Sequence, residues 1–405
     1  MKIVRIQSRI CVGGPALHSI LLSEGLSYRR GARYDTTLLG GALEPGEVSM
    51  APFAEARGVS VELVPEMKRS VHPVRDARAL ARTVRRLREL RPTIVHTHTA
   101  KAGAIGRTAA ALVGAPIVVH TFHGHVFEGY FDARKAAAFV AAERALARAT
   151  DVILAISEQQ RADLSERYRI APAEKIRVVP LGLELERFRA VTRRTRGALR
   201  AELGIPAEAP LVMAVGRLVP IKRFDLLLQA FREVLARLPE AHLAIAGDGA
   251  PELRAELERL ARPMAGRVHF LGWRRDLERL YADADVLALT SDNEGTPVTV
   301  IEAVASGLPV VATRVGGVED VLTDAMGTMV APGDVAGIAR ALVARLSSPG
   351  PLADSLRDDV CQRFSHRRLI GDVERLYDEL LEQRRASRAL RSRAAALRAK
   401  EAAPC

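Results

Sequence analysis

Short apolar runs alternate with amphipathic stretches along most of this chain. Runs at 2–7 (KIVRIQ), 59–64 (VSVELV), 93–98 (TIVHTH), 116–121 (PIVVHT), 151–156 (DVILAI) and 175–180 (KIRVVP) predict strands. Between them, helical spacing falls near 15–27, 75–90, 101–113, 133–149 and 158–168. Apolar strands separated by helices imply a parallel sheet covered on both faces. Residues 181–209 break the rhythm: LGLELERF, an Arg-rich polar stretch, the helix-like RGALRAEL and then GIPAEAP. That segment reads as an interdomain connection. A second series follows, with strands near 211–216, 242–247, 268–271, 285–289 and 309–313. Its helices fall near 224–238, 251–263, 276–283, 297–306, 334–347 and 351–363. The expected class is α/β, with a Rossmann-like domain over 1–180 and a second over 181–364. A helix over 365–384 and a basic tail over 385–405 complete the chain.

The most informative stretch is 291–317, SDNEGTPVTVIEAVASGLPVVATRVGG. Thr296 is a plausible N-cap, and Pro297 suits the first helical position. Gly307 supplies a left-handed residue to end the helix, and Pro309 discourages its resumption. The helix between them is apolar around most of its circumference, which implies burial. Its one carboxylate, Glu302, is then costly unless something pairs with it. Side chains lean toward a helix N-terminus, so Glu302 is expected to point toward Glu294-Gly295-Thr296. Free N–H groups and the positive dipole end there favour an anion such as a diphosphate. A core helix with one solvated Glu reads equally well from the pattern alone.

Glu294-Gly-Thr-Pro through Glu302-Ala, then SGLPVVAT and Gly316-Gly317, resembles the E-x7-E signature of family 4 glycosyltransferases. The resemblance covers nearly the whole chain and is strongest from 210 to 322. It implies a retaining enzyme of the GT-B fold: two Rossmann-like, doubly wound domains facing across a cleft, with 365–384 crossing back to the first. It makes Glu302 the ligand of the donor's ribose and Glu294 the ligand of the transferred sugar, with Gly295, Thr296 and Pro297 lining the donor site. Gly216-Arg217 and Lys222, after the strand 211–216, correspond to the family's pair that grips the donor diphosphate. A guanidinium and an ammonium placed there stabilise a departing diphosphate without a metal; ordinary surface cations are the alternative reading. The stretch Phe270-Leu271-Gly272-Trp273-Arg274 corresponds to one that contacts the nucleotide base, largely through backbone.

Other stretches say less by themselves. Gly13-Gly14-Pro15, between the first strand and helix, permits close backbone approach to a ligand or makes a plain tight turn. Its family equivalent faces the sugar, which places Gly13 and Gly14 among the expected donor-site residues. In HTFHGHVFEGYF (120–131), three histidines raise metal binding. Gly124 interrupts any regular periodicity, however, and Glu128 is the one nearby carboxylate, so no metal geometry can be read. His123-Gly124 resembles the family's His-Gly loop, which assigns His123 to the sugar pocket; a polar loop histidine is the alternative. His96 and His98 share one face of a strand, as acceptor-facing groups or as satisfied core histidines. Gly247-Asp248-Gly249 lacks the full dinucleotide fingerprint. Asp283-Ala284-Asp285 opens a strand instead of ending one, which argues against a metal-binding D-x-D.

Composition bounds the rest. With 48% hydrophobic and 27% charged residues the chain is ordinary for a soluble protein. Its cysteines, Cys11, Cys361 and Cys405, match no metal spacing and suggest a reducing compartment. No uncharged apolar run approaches the ~18 residues of a membrane span, and charge breaks any signal-like N-terminus. A cytoplasmic protein is expected, peripheral on the inner membrane face if its basic segments dock there. Seven arginines against Asp76 and Glu89 give +5 over 75–91, and six arginines with Lys400 give +7 over 384–400. Together these equal the whole net charge of +12. An anionic membrane surface is a candidate partner, a solubilising role is the alternative, and no nucleic acid is expected.

The expected activity is transfer of a sugar from a nucleotide-sugar donor to a glycan or lipid-linked acceptor. The nucleotide-sugar is a substrate, so no cofactor and no metal are expected. A nucleotide-sugar epimerase, a sugar phosphorylase or a non-catalytic sugar-nucleotide sensor of the same fold are the rivals. A nicotinamide-dependent oxidoreductase is disfavoured by the missing G-x-G-x-x-G.

Overall fold

The computed structural model describes every residue except 28–33, 45–46, 69, 125–132, 191–195 and 402–405, together with the side chains at 133, 388, 391 and 393–401. His125 and Glu128 therefore lie outside the described residues, as do the side chains of Ala394 and Leu397. The chain divides into two compact units. The first comprises Met1–Ile156, Arg161–Gly182 and His366–Cys405; the second comprises Ser157–Gln160 and Leu183–Ser365.

In the first unit, seven parallel strands run β1 (Lys2–Gln7), β2 (Asp35–Gly41), β3 (Val61–Val64), β4 (Ile94–His98), β5 (Ile117–Thr121), β6 (Val152–Ala155) and β7 (Ile176–Val178). Their order across the sheet is β3-β2-β1-β4-β5-β6-β7. The order reverses direction beside β1, where open α/β sheets leave a crevice at the strands' carboxyl ends. One face of the sheet is covered by helices Pro73–Leu90 and Ala100–Val113 through Ala79, Leu87, Ile105 and Ala109. The opposite face is closed by helix Gly14–Ser27 and by the last helix, His366–Glu401. Leu369, Ile370, Val373, Leu376 and Tyr377 of that last helix pack with Ile3, Ile94, Ile117 and Val119.

β2 is a strand that the periodicity does not predict. Its sequence, DTTLLGG, reads as polar residues followed by a turn signal. The two glycines are there because space is short: a Cβ on Gly41 would stand 2.1 Å from the carbonyl oxygens of both Met67 and Ser8. Absence of a side chain lets this strand pair with β1 and β3 through Gly40 and Gly41. The predicted helix at 158–168 divides into an α-helix, Glu158–Ala162, and a π-turn, Asp163–Arg167.

The second unit holds six parallel strands: β8 (Leu211–Val215), β9 (His242–Ala246), β10 (Val268–Gly272), β11 (Val286–Leu289), β12 (Val310–Thr313) and β13 (Gly327–Val330). Their order is β10-β9-β8-β11-β12-β13, with the switch between β8 and β11. β13 also lacks a strand signature, since it is a short, half-buried edge strand opening on glycine. Phe224, Leu227, Phe231, Leu243, Ile245, Val311 and Leu342 form the core of this unit. Asp283 and Asp285 are spent on the connection that precedes β8. Asp283 accepts from the backbone N–H groups of Gly197, Leu199 and Arg200 at the start of helix Ala198–Leu203. Asp285 accepts from Arg196, Arg200 and the Leu211 N–H. Both carboxylates thus serve the packing of this connection.

Candidate active site

At the carboxyl end of the second sheet, the loops after β8, β11 and β12 are joined into one surface. The Thr290 hydroxyl donates to the Lys222 and Arg223 carbonyls at 3.2 and 3.1 Å. The Asp292 N–H donates to the Ile221 carbonyl at 2.9 Å. Thr313 donates to the Ser291 carbonyl at 2.6 Å, and the Gly317 N–H to the Glu294 carbonyl at 3.2 Å. Gly316 and Gly317 permit this contact: a Cβ on either would stand 1.9 Å from the carbonyl oxygen of Glu294 or Gly295, and Gly316 has φ +49°. The glycine pair thus fixes the height of the Glu294-Gly295 turn above the sheet.

The structure brings Lys222 and Glu294 together. Lys222 Nζ donates to Glu294 Oε1 at 2.5 Å, and Ser291 Oγ donates to the same oxygen at 2.6 Å. Gly216 follows β8, and Arg217 stands exposed beside it. The helix carrying Glu302 starts one residue later than the pattern suggests. It spans Val298–Ala305, and Pro297 is the N-cap with φ −76° and ψ 95°. Thr296 therefore does not cap it. The Thr296 hydroxyl is buried without a hydrogen-bond partner among the described residues, next to a helix N-terminus suited to an anion. Gly307, at φ +81°, ends the helix as expected.

Glu302 is buried, and its Oε2 accepts from the Tyr281 hydroxyl at 3.3 Å. Burial raises its pKa to about 7, while the Arg187 guanidinium and the Tyr281 hydrogen bond pull the other way. Burial likewise pushes the Tyr281 phenol well above its usual value. Sequence reasoning missed Tyr281, Arg187 and Ser291. Tyr281 comes from helix Leu277–Asp283, distant in sequence, and only its role as a fully buried phenol marks it out. Trp273 is half-exposed beneath the Arg275 guanidinium, and Arg274 is paired with Glu202 and Asp276. Gly247 and Gly249 pack against the backbone of Gly216 and Leu218, a structural use of that glycine pair.

The first unit gathers a different set of groups at its sheet's carboxyl end. Cys11 bridges Ser49, and the Val12 and Met50 N–H groups reach the Val48 and Ile10 carbonyls, which anchors the Gly13-Gly14 turn. Helix Gly14–Ser27 begins there and carries His18, a residue that the sequence reading passed over. His98 ends β4, and His123 follows β5. His98 Nδ1 and His123 Nε2 are 3.1 Å apart, and the His18 ring lies 4.8 Å from the His123 ring. Burial holds His123 down to about 3 and His18 and His98 well below 6.5, so all three are neutral at pH 7. Next to His98, Thr99 adopts φ +66°, a strained conformation for a non-glycine residue. Ser8 holds it there through a 2.6 Å contact between hydroxyls. His96 is a satisfied core histidine, bonded to Tyr377 and Thr121 at 2.7 Å each. His120, inside β5, is bonded to Thr97 at 2.8 Å.

Comparison with known proteins agrees with both halves of this description. Residues 12–187 match the family model "Glycosyltransferase Family 4", and residues 209–348 match "Glycosyl transferases group 1". A D-inositol 3-phosphate glycosyltransferase of Catenulispora acidiphila is 32% identical over 315 residues, which is 73% of this chain and 72% of that relative. An Escherichia coli UDP-Gal:alpha-D-GlcNAc-diphosphoundecaprenol alpha-1,3-galactosyltransferase is 30% identical over 260 residues. That match covers 63% of this chain and 66% of the relative, just under two thirds of its length. Among solved structures, HepE of Anabaena in complex with UDP superimposes with a TM-score of 0.78 at 21% identity, covering 94% of this chain and all of that one. Sucrose-phosphate synthase from Thermosynechococcus elongatus gives 0.80 at 22% identity, covering 95% and 100%. These likenesses show the fold, which is GT-B. The chain belongs to the family 4 glycosyltransferases.

Proposed function

We propose that this chain transfers a sugar, with retention and without a metal, from a nucleotide-sugar to a glycan or lipid-linked acceptor. The observation that carries the proposal is the second unit's surface, where Lys222 and Glu294 pair a few residues from Arg217, an orphaned Thr296 hydroxyl and a buried Glu302. In this reading Glu302 accepts from the ribose hydroxyls. Its pKa of about 7 leaves it half-ionised near neutrality, and donor hydroxyls would favour the ionised form. The donor diphosphate draws Lys222 off Glu294 and takes Arg217 as its second cation, with Gly216 allowing close approach. Glu294, released from Lys222, accepts from hydroxyls of the transferred sugar, beside Gly295, Thr296 and Pro297. As the anomeric C–O bond breaks, the two cations stabilise charge growing on the leaving diphosphate. His123, neutral and paired with His98, serves the sugar through a hydrogen bond, and Gly13 and Gly14 serve it through backbone.

A nucleotide-sugar epimerase is not favoured by the relatives quoted above, which are named as transferases. One of them is named for UDP-galactose and a diphosphoundecaprenol-linked acceptor, and another relative for a phosphatidylinositol mannoside. The first name supports a UDP-sugar and the second names GDP-mannose, while both name a lipid-linked acceptor, which supports a membrane-bound acceptor as the first choice here. The basic helix Pro73–Leu90 supports the same choice, with exposed Val71 and Val74 at its start. A panel of UDP-, GDP-, ADP- and TDP-sugars, screened for thermal stabilisation, tests the donor. Stabilisation by one base class is expected, since a ligand selective for the native state raises the melting temperature. No stabilisation by any of them would count against a nucleotide-sugar enzyme.

A further inference from the structure

His18, His98 and His123 reach one small volume of the first unit from three separate elements, and their ligand nitrogens all lie within 4.8 Å of one another. Two imidazole nitrogens bound tetrahedrally to one zinc ion, each about 2.0–2.1 Å from it, stand roughly 3.3 Å apart. The 3.1 Å between His98 Nδ1 and His123 Nε2 is already close to that spacing. Both nitrogens of His18, Nε2 of His98 and Nδ1 of His123 are buried without a hydrogen-bond partner among the described residues. Buried polar atoms are rarely left so, and an ion held by His98 Nδ1, His123 Nε2 and one His18 nitrogen would give the His18 ring a partner it otherwise lacks among the described residues. His96 next to it shows the ordinary alternative, with both nitrogens satisfied by hydroxyls.

We propose that His18, His98 and His123 bind a transition-metal ion, Zn(II) foremost, as a three-imidazole site with a fourth position open. The donor set is all nitrogen, which suits zinc, cobalt or nickel and does not suit calcium or magnesium, whose ligands are oxygen. Ligation needs neutral imidazole, and burial already holds the three rings in that form. The buried Arg5 guanidinium acts electrostatically on His18 and His98, and Arg368 acts on His18. Both cations oppose a dication, so the ion is held reversibly and more weakly than in a structural zinc site. Binding would occupy His123, the residue assigned above to the sugar. The metal is therefore inhibitory, a consequence that rests on the proposed function; the binding itself does not.

The test uses the full chain without a tag, stripped with EDTA and titrated with Co(II) in the visible range. One equivalent should bind with the intense d–d absorption of tetrahedral cobalt and should be displaced by one equivalent of Zn(II). His18→Asn and His123→Asn should each weaken binding roughly tenfold or more, the loss expected of a ligand or its support. His269→Asn should leave it unchanged, although His269 and His242 form another histidine pair, with nitrogens 3.0 Å apart. Circular-dichroism melts of the metal-free variants show whether either substitution unfolds the chain. His123 is only partly buried, so its variant carries the assignment if His18→Asn does not fold. Absence of cobalt binding, or binding that survives both substitutions, would overturn the site. Zinc should also suppress turnover of a nucleotide-sugar by the wild-type chain. A chain that binds cobalt through these histidines yet turns over no nucleotide-sugar when metal-free would retain the metal site and lose the transferase reading.

Discussion

Glu302 illustrates how one residue can carry both a cost and a function. Its carboxyl is buried with a phenol as hydrogen-bond partner, and its pKa is raised from 4.5 to about 7. Between those values the folded chain holds a proton that the unfolded chain has released. The stability associated with that proton is complete below about pH 4.5 and is lost as pH rises through 7. Glu302→Gln should therefore raise the melting temperature at pH 8 and change it little at pH 5. The gain at pH 8 should be on the order of 3 kcal/mol, measured by denaturation without ligand. An equal effect at both pH values would show that Glu302 is not held protonated. Arg217 and Lys222 belong to the same scale. Each Ala substitution should lower kcat roughly 10²-fold or more, the magnitude for removing one electrostatic stabiliser. Steady-state kinetics showing a change in donor KM alone would remove them from the leaving group. The E-x7-E stretch singled out Glu294 and Glu302, and the Gly216-Arg217 stretch singled out Lys222, as candidates in the sequence. Their partners were not legible there, because Tyr281 and Ser291 are ordinary residues until the fold places them beside a carboxylate.

Strands β4 and β5 end at the first unit's histidines, and helix Gly14–Ser27 begins beside them. Five histidines there, His18, His96, His98, His120 and His123, are held below 6.5, chiefly by burial. An unfolded chain protonates them as pH falls below 6.5, whereas the folded chain resists, in the case of His123 down to about 3. Stability is thus present above pH 6.5 and is lost on acidification, by up to about 1.4 kcal/mol per pH unit for each histidine. Urea titrations between pH 7 and 5 should show a steep loss, made shallower by His120→Asn. A flat profile would mean that these rings are not buried neutral. At this scale, most helices and the apolar central strands were readable from periodicity. β2 and β13 were not: Gly40 and Gly41 imitate a turn, and Gly327-Thr-Met-Val is too short for a pattern. Thr296 as a cap failed because Pro297, lacking an N–H, takes the cap position with an extended backbone.

Across the whole molecule, charge placement in the sequence overstated the basic character of residues 75–91. Arg82 is paired with Glu66 and Arg86 with Glu62, acids from the neighbouring segment around β3. The arginines most available to a membrane on that helix are then Arg78, Arg85 and Arg88, which stand exposed. The last helix runs on to Glu401, and among its described residues the last buried ones are Leu380 and Leu381. Among the described residues, no helix is long and apolar enough to cross a membrane. If the acceptor is membrane-bound, the chain should co-sediment with anionic vesicles at low salt, at about 1 kcal/mol per engaged cation. Binding should weaken in a chain ending at Gln383 and vanish in high salt. Equal binding to neutral vesicles would rule out electrostatic docking. The central claim concerns the donor, and release of nucleoside diphosphate from a nucleotide-sugar, with EDTA present, tests it most directly. The wild-type chain should release it, slowly to water and faster with acceptor, and folded Glu302→Ala should not at the same donor concentration. Release that requires a divalent metal, or that persists unchanged in Glu302→Ala, would contradict the account.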